Sequence, residues 1–376
     1  MENIVYLDNS ATTKPCKKAI EYMNRSLEVN WGNPSSLHTV GINAEQDFVS
    51  CKQAVASLLS CRNDEIYFTG SGTEANNLAI TGGIKARAKR GNRIVTTATE
   101  HPSVLNTIKQ FEEQGFEVIY LKPERNGAIS KESIKNAITQ KTIFVSIMLV
   151  NNETGAINPV AVAREAIKSV GSPALLHCDA VQGFGKMEVK PSALGVDLLT
   201  FSGHKIHGPK GIGVLYRKKG VHILPQMLGG NQQEGLRSGT EPMPLICGLK
   251  GALCEISDIK GQYQKTRDLW NYAKARLEPF VKINSSDEGL PFILNISVVG
   301  YRSETLLHFL DAKGIFVSSG SACAKGELSH TLTAMGLNSK EIDSALRISF
   351  SRYNTLADID RLTESLKEAT EKLKRV

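Results

Sequence analysis

Lys205 stands in Ser202-Gly203-His204-Lys205, directly after the apolar run Val196–Phe201. About 26 residues earlier, Asp179 closes a second apolar run, Ala174–Cys178. A lysine amine held at a fixed point can take hold of an aldehyde. A carboxylate buried beside a pyridine nitrogen keeps that nitrogen protonated and the ring an electron sink. Together the two suit a site for pyridoxal phosphate (PLP). Far downstream, Cys323 sits in the small, polar run Ser318-Ser319-Gly320-Ser321-Ala322-Cys323-Ala324-Lys325-Gly326. Such a run offers an accessible thiol, and the thiolate is the competent nucleophile. The combination predicts an enzyme that uses PLP to open a C–S bond and Cys323 to take the sulfur.

Further residues fall into place around this core. Gly70-Ser71-Gly72-Thr73-Glu74 lies between a strand and a helix, where exposed N–H groups and the helix dipole favour a phosphate and Thr73 adds a hydroxyl. Ser202 and His204 could supply further phosphate donors, and Arg237-Ser238-Gly239-Thr240 is a second small-residue loop with a hydroxyl and a cation. Gln182 could donate to the phenolic oxygen of the cofactor. His101, after the run Arg93–Ala98 and before Pro102, could stack on the pyridine and move protons at the substrate carbon. Arg347 alternates with apolar residues on a strand, from which a guanidinium could clamp a carboxylate. Each has a plainer reading: Asp179 also suits a helix N-cap, and the Gly72 loop also suits a capped helix start.

The elements that must position these residues alternate. Strand candidates are Glu65–Thr69, Arg93–Ala98, Glu117–Leu121, Thr142–Val150, Ala174–Asp179 and Val196–Phe201, with Gly211–Tyr216 at the sheet edge. Between them run the helical patterns Glu74–Arg90, Pro102–Gln114, Lys131–Thr139 and Val160–Val170. This predicts an α/β fold with a mostly parallel sheet covered on both faces. Ligands bind beyond the carboxyl ends of such strands. Gly72, Thr73, His101, Asn152, Asp179 and Lys205 all follow strand candidates. A long helical stretch, Pro244 to Leu277, precedes a smaller α+β unit with strands Phe292–Val298, Ile315–Val317 and Arg347–Ser351 and helices near Ser303–Lys313 and Leu356–Lys374. We read residues 15–255 as a large PLP-binding domain, and 1–14 with 256–376 as a small domain carrying the Cys323 loop.

Bulk properties bound the rest. The 376 residues carry a net charge of +7, with 41% hydrophobic and 22% charged residues. That is an ordinary globular composition with scattered basic residues, so no direct nucleic-acid binding is expected. Seven cysteines include no CxxC pair and no metal-ligand spacing. This predicts free thiols in a reducing compartment and no metal site. No apolar run approaches the ~18 residues that would cross a bilayer. A cytoplasmic protein is expected.

The chain resembles the PLP-dependent cysteine desulfurases, the NifS/IscS-like branch of the class-V aminotransferases. The resemblance rests on Tyr6–Thr13, Gly32–His38, Gly72–Asn77, Thr99-Glu100-His101, Val150–Gly155, Asp179–Gln182, Ser202–Gly211, Arg237–Thr240 and Ser318–Cys323. It implies the fold-type I PLP-dependent transferase architecture, with a seven-stranded sheet, and a homodimer with composite active sites. It implies that Lys205 holds PLP covalently, with Asp179 at the pyridine nitrogen, Gln182 at the phenolic oxygen, His101 on the ring and Asn152 near its oxygen side. Gly72, Thr73, Ser202, Gly203 and His204 would hold the phosphate, with Thr240 from the other subunit. Asn33 and Arg347 would bind the substrate carboxylate, and Cys323 would accept the sulfur of L-cysteine as a persulfide, leaving L-alanine. The sulfur would pass to an acceptor protein, an iron–sulfur scaffold or a tRNA-thiolation enzyme. The segment after Cys323 reads Ala324-Lys325-Gly326-Glu327-Leu328-Ser329-His330 and is about two residues shorter than in the housekeeping iron–sulfur enzymes, which leaves the acceptor open. A selenocysteine lyase, or another PLP-dependent lyase or aminotransferase, is the alternative.

Overall fold

The structure, a computed structural model, describes residues 4–319 and 328–375. Cys323 lies outside the described residues. The chain begins with the short strand β1 (Val5–Tyr6). It then lays down β2 (Ile66–Thr69), β3 (Arg93–Thr97), β4 (Glu117–Leu121), β5 (Thr142–Ser146), β6 (Leu175–Asp179), β7 (Leu198–Ser202) and β8 (Gly213–Arg217). These seven form one sheet in the order β2-β8-β7-β6-β5-β3-β4. All neighbouring pairs are parallel except those of β8, which runs antiparallel to both β2 and β7. The predicted parallel sheet is present, but β8 is inserted between two strands rather than added at the edge.

The middle strands are buried on both faces, which explains their near-continuous apolar runs. One face packs on a core containing Val55, Leu59, Phe68, Val145, Leu176, Leu199 and Phe201. The other packs on Tyr67, Ile80, Ile84, Ile94, Phe144 and Leu198. The expected run Thr142–Val150 is a regular strand only to Ser146. Beyond it, Ile147 N–H and Leu149 N–H still bond His177 and Asp179 carbonyls, so the chain stays beside β6 while it bends toward Asn152.

The remaining strands are β9 (Lys282–Ile283), β10 (Ile293–Ser297), β11 (Ile315–Phe316), β12 (Ser318–Ser319) and β13 (Ala345–Ser349). A four-stranded antiparallel sheet runs β12-β13-β10-β9, and β11 pairs in parallel with β1. A separate core gathers Val5, Leu7, Trp270, Leu294, Leu306, Ile348 and Leu362. The N-terminal strand thus packs with the C-terminal third of the chain. The single helix expected over Pro244–Leu277 is two, Met243–Leu253 and Ile259–Leu277. Asp258 breaks the run by capping the second helix, its Oδ1 accepting the Gly261 N–H at 2.8 Å.

Candidate functional site

Beyond the carboxyl ends of β2, β3, β6 and β7 lies a cavity of about 330 Å³. Its lining includes Gly72, Thr73, His101, Asn152, Asp179, Gln182, Ser202, His204, Lys205 and Arg347. One concavity therefore gathers most of the residues singled out from sequence.

At one end is Asp179, the last residue of β6, only 4% exposed. Its Oδ1 accepts the Val181 N–H at 2.9 Å and its Oδ2 accepts Asn76 Nδ2 at 2.8 Å. Asn76 belongs to the helix Gly72–Arg87, one turn after Gly72, so it faces the same side. Its second N–H reaches Ser103 Oγ at 2.9 Å, and its Oδ1 accepts the Thr200 hydroxyl. Ser103 Oγ in turn lies 2.8 Å from His101 Nδ1, which also accepts the Ser103 N–H at 3.1 Å. His101 thus caps the helix Pro102–Glu113 while its ring lines the cavity. Burial lowers its pKa from the ordinary value, so the neutral ring prevails at pH 7.

At the other end the helix Gly72–Arg87 points its N-terminus into the cavity. Ser71 caps it, Oγ accepting the Glu74 N–H at 3.1 Å. The turn lies hard on β8: a Cβ at Gly213 would stand 2.3 Å from the Ser71 carbonyl carbon. At Gly72 a Cβ would meet Ser202 Cβ and Val181 Cγ2, both at 3.3 Å. The cradle is built for backbone. Ser202 and His204 face it across the turn after β7. Burial pushes the His204 imidazole down to about 4, with Lys205 and Lys210 adding to it. The neutral ring can donate a hydrogen bond without bringing charge.

Lys205 lies between these ends. The turn that aims it needs Gly203, whose N–H donates to the Ile212 carbonyl at 3.0 Å and whose Cβ would clash with Ile212 Cγ2 at 2.7 Å. Gly203 does not line the cavity; it shapes the turn. Lys205 Nζ donates to the Ser10 and Ala11 carbonyls at 2.5 and 2.7 Å. Burial first, then the Arg347 cation, lowers its amine to about 8. Arg347, on β13, spends Nη2 on Asp8 Oδ1 at 2.9 Å and Nη1 on the Asn152 carbonyl at 3.0 Å. Among the described residues its buried Nε has no partner, and neither has the buried Oγ of Ser10.

Besides Gly203, two expected residues are not brought to this cavity. Asn33 is exposed on an outer loop, its Oδ1 accepting the Ser35 N–H at 2.9 Å, and Thr240 is exposed beside Arg237-Ser238-Gly239. Asp8, Ser10, Asn76, Ser103 and Met148 line or brace the site without having been assigned a role from sequence. For Asn76 the signal was present, since it lies i+4 from Gly72 on a helix.

The described residues on either side of Cys323 in the sequence contact this site or its neighbours. Ser318 pairs across β12 and β13 with Arg347. On the other side, Ser329 Oγ donates to Glu153 Oε2 at 2.5 Å, and His330 Nε2 lies 3.1 Å from the carbonyl of Glu100, the neighbour of His101.

The donor set fits PLP. A buried carboxylate faces a helix N-terminus across a cavity of ring-plus-phosphate size, with a depressed amine and a neutral imidazole between them. The buried, unpartnered Ser10 Oγ and Arg347 Nε await a polar ligand. The aminotransferase class-V family model matches residues 5–362. The chain belongs to the class-V aminotransferase family. Among curated class-V relatives, the cysteine desulfurase of Trichormus azollae is 39% identical, covering 99% of this chain and 94% of that protein. Among solved structures, a NifS-like protein superposes with a TM-score of 0.93 at 34% identity, covering 98% of this chain and all of that one. A structure described as SspA in complex with cysteine gives 0.82 at 32%, covering 93% and 99%. The chain is a NifS/IscS-like member with the fold-type I architecture.

Proposed function

We propose that this chain is a PLP-dependent cysteine desulfurase that converts L-cysteine to L-alanine and takes the sulfur on Cys323. The observation that carries the reading is the bounding of the Cys323 stretch by Arg347 on one side and by Ser329 and His330 on the other. An aminotransferase of the same fold has no use for a cysteine in this stretch of the sequence.

When bound, PLP supplies an electron sink for the α-carbon of an amino acid. Asp179, held in place by Asn76 and the Val181 N–H, would keep the pyridine nitrogen protonated. Gln182 would donate to the phenolic oxygen, with Asn152 near that oxygen. Gly72, Thr73, Ser202 and His204 would hold the phosphate. Lys205 would hold the group through Nζ and would serve as the base at the substrate α-carbon. His101 would cover the ring. Arg347 receives the substrate carboxylate, with Asn33 as a further contact. The Cys323 thiolate attacks the substrate sulfur: an S–S bond forms, the C–S bond breaks, and its electron pair returns to the carbon side. Protonation of that carbon completes alanine, and the persulfide stays on Cys323 for an acceptor, an iron–sulfur scaffold protein or a tRNA-thiolation enzyme.

The working unit is a homodimer. Thr240 does not line the cavity of its own chain, and Trp31, Leu37 and Leu228 are 69%, 94% and 83% exposed, large apolar side chains that a second copy would cover. Residues 15–255 form the PLP-binding domain, and 1–14 with 256–376 the small domain. The protein works in the cytoplasm. The test is whether purified holoenzyme forms alanine and sulfide in equal amounts from L-cysteine with a reductant. Activity confined to selenocysteine would favour the lyase alternative.

A further inference from the structure

Lys186 is 6% exposed, yet no step above uses it. It sits behind the active-site lysine, lining with Lys205, Arg352 and Phe292 a chamber of about 30 Å³, room for a water molecule. Its ammonium lies 5.9 Å from the Phe292 ring centroid. Burial first, then the Lys205 and Arg347 cations, bring its amine down to about 7. A buried cation with like charges around it is costly to keep and calls for a use.

Its hydrogen bond supplies one. Lys186 Nζ donates to Gln182 Oε1 at 3.0 Å. Because Lys186 Nζ donates in this bond, the Gln182 amide turns its oxygen toward Lys186. Its nitrogen then faces the opposite side. One N–H goes to the Ser10 carbonyl at 3.0 Å, and the second is left for the cavity that Gln182 lines. A cation on the amide oxygen also polarises the amide and makes its N–H groups stronger donors. The turn geometry serves this chain of bonds. Gly185 holds φ +75 between the two residues, and a Cβ there would press Ile206 Cγ2 at 2.9 Å.

We infer that Lys186 is a positioning residue that acts through Gln182, orienting and polarising the amide that faces the phenolic oxygen of the cofactor. This rests on the proposed PLP reading. Without Lys186 the buried Gln182 Oε1 is unpaired, a loss of about tenfold or more in whatever the amide holds.

The test is a double-mutant cycle on the reconstituted enzyme, with Lys186→Met, Gln182→Leu and the pair. The readouts are the dissociation constant of PLP and the position of the visible absorption band, which reports the charge on the phenolic oxygen. Each single variant is expected to weaken PLP about tenfold and move the band, and the pair to be no worse than Gln182→Leu alone. Lys186→Arg, which keeps a buried cation and can extend into the chamber, is expected to restore the band. An unchanged band in Lys186→Met, or losses that multiply in the pair, would overturn the inference. Should Lys186→Met fail to fold, Lys186→Gln is judged by the same two criteria. If wild type itself does not bind PLP, the functional reading fails; if wild type binds and Lys186→Met matches it, only this inference does.

Discussion

Asn76 Nδ2 donates to Asp179 Oδ2 at 2.8 Å, inside a chain that runs on to Ser103 and His101. Asp179 and His101, proposed for the pyridine nitrogen and the ring face, are therefore braced by one amide. Asn76→Ala leaves Asp179 with a single donor and strands Thr200 and Ser103 in a buried setting. A lost buried hydrogen bond to a charged group costs about 1.5–3 kcal/mol. We expect PLP binding to weaken roughly 10- to 100-fold, measured by absorbance titration of the cofactor-free protein, with Thr200→Val giving a smaller loss.

Arg347 is already paired with Asp8, so a substrate carboxylate received there, as proposed, would share or displace that partner. Arg347→Lys removes the planar fork and is expected to raise KM for cysteine at least ~10-fold while changing kcat less. Asp8→Asn frees the guanidinium and is expected to lower KM. Steady-state alanine formation separates the two parameters, and equal KM values in all three proteins would remove Arg347 from the carboxylate site.

Glu100 is fully buried; its Oε1 accepts the Met148 N–H at 2.7 Å and the Thr97 hydroxyl at 2.9 Å, and its Oε2 has no partner among the described residues. Burial, with Asp179 adding to it, raises the carboxyl to about 8, against an ordinary value near ~4.3. The folded state therefore binds more protons than the unfolded state between those values. Its contribution to stability is full below about pH 4 and lost as pH rises toward 8. Glu100→Gln cannot ionise. The variant is expected to gain on wild type by roughly 1–3 kcal/mol between pH 5 and 8. Urea denaturation of the cofactor-free proteins at both pH values checks this.

Lys205 and Lys186 act with the opposite sign. Their folded pKa values, about 8 and about 7, lie below the ordinary lysine value near ~10.4. The unfolded chain binds more protons in that window, so both groups make the cofactor-free protein more stable as pH rises from about 7 to 10. Lys205→Met and Lys186→Met are each expected to flatten that rise. A slope unchanged in both variants over the same window would contradict the assignment.

Much of this site was legible because parallel strands buried on both faces read as apolar runs, and the residue after each run points into the cleft. Asp179, His101, Lys205 and Gly72 were found that way. The two helices before residue 60 were not. Lys17–Glu28 carries a marked amphipathic pattern that was passed over, whereas Thr39–Leu59 buries many small residues such as Gly41, Ala44 and Ala56 and shows only a weak apolar stripe. The insertion of β8 was hidden because sheet order depends on long-range pairing that a local run does not encode. Lys186 and Glu100 escaped notice because charged residues read as surface, and only the fold shows that both are buried. The roles given to Asn33 and Thr240 came from resemblance alone, and within one chain neither reaches the cavity.

The central claim is that Cys323 takes the sulfur, and one comparison tests it most directly. Wild type and Cys323→Ala, both loaded with PLP, are given L-cysteine and a reductant, and alanine and sulfide are measured together. We predict equal yields of the two products from wild type, and a fall of at least ~100-fold in both from the variant, which still binds PLP and still changes its spectrum with cysteine. Alanine formation persisting in Cys323→Ala at a wild-type rate would contradict the account and assign C–S cleavage to the PLP site alone.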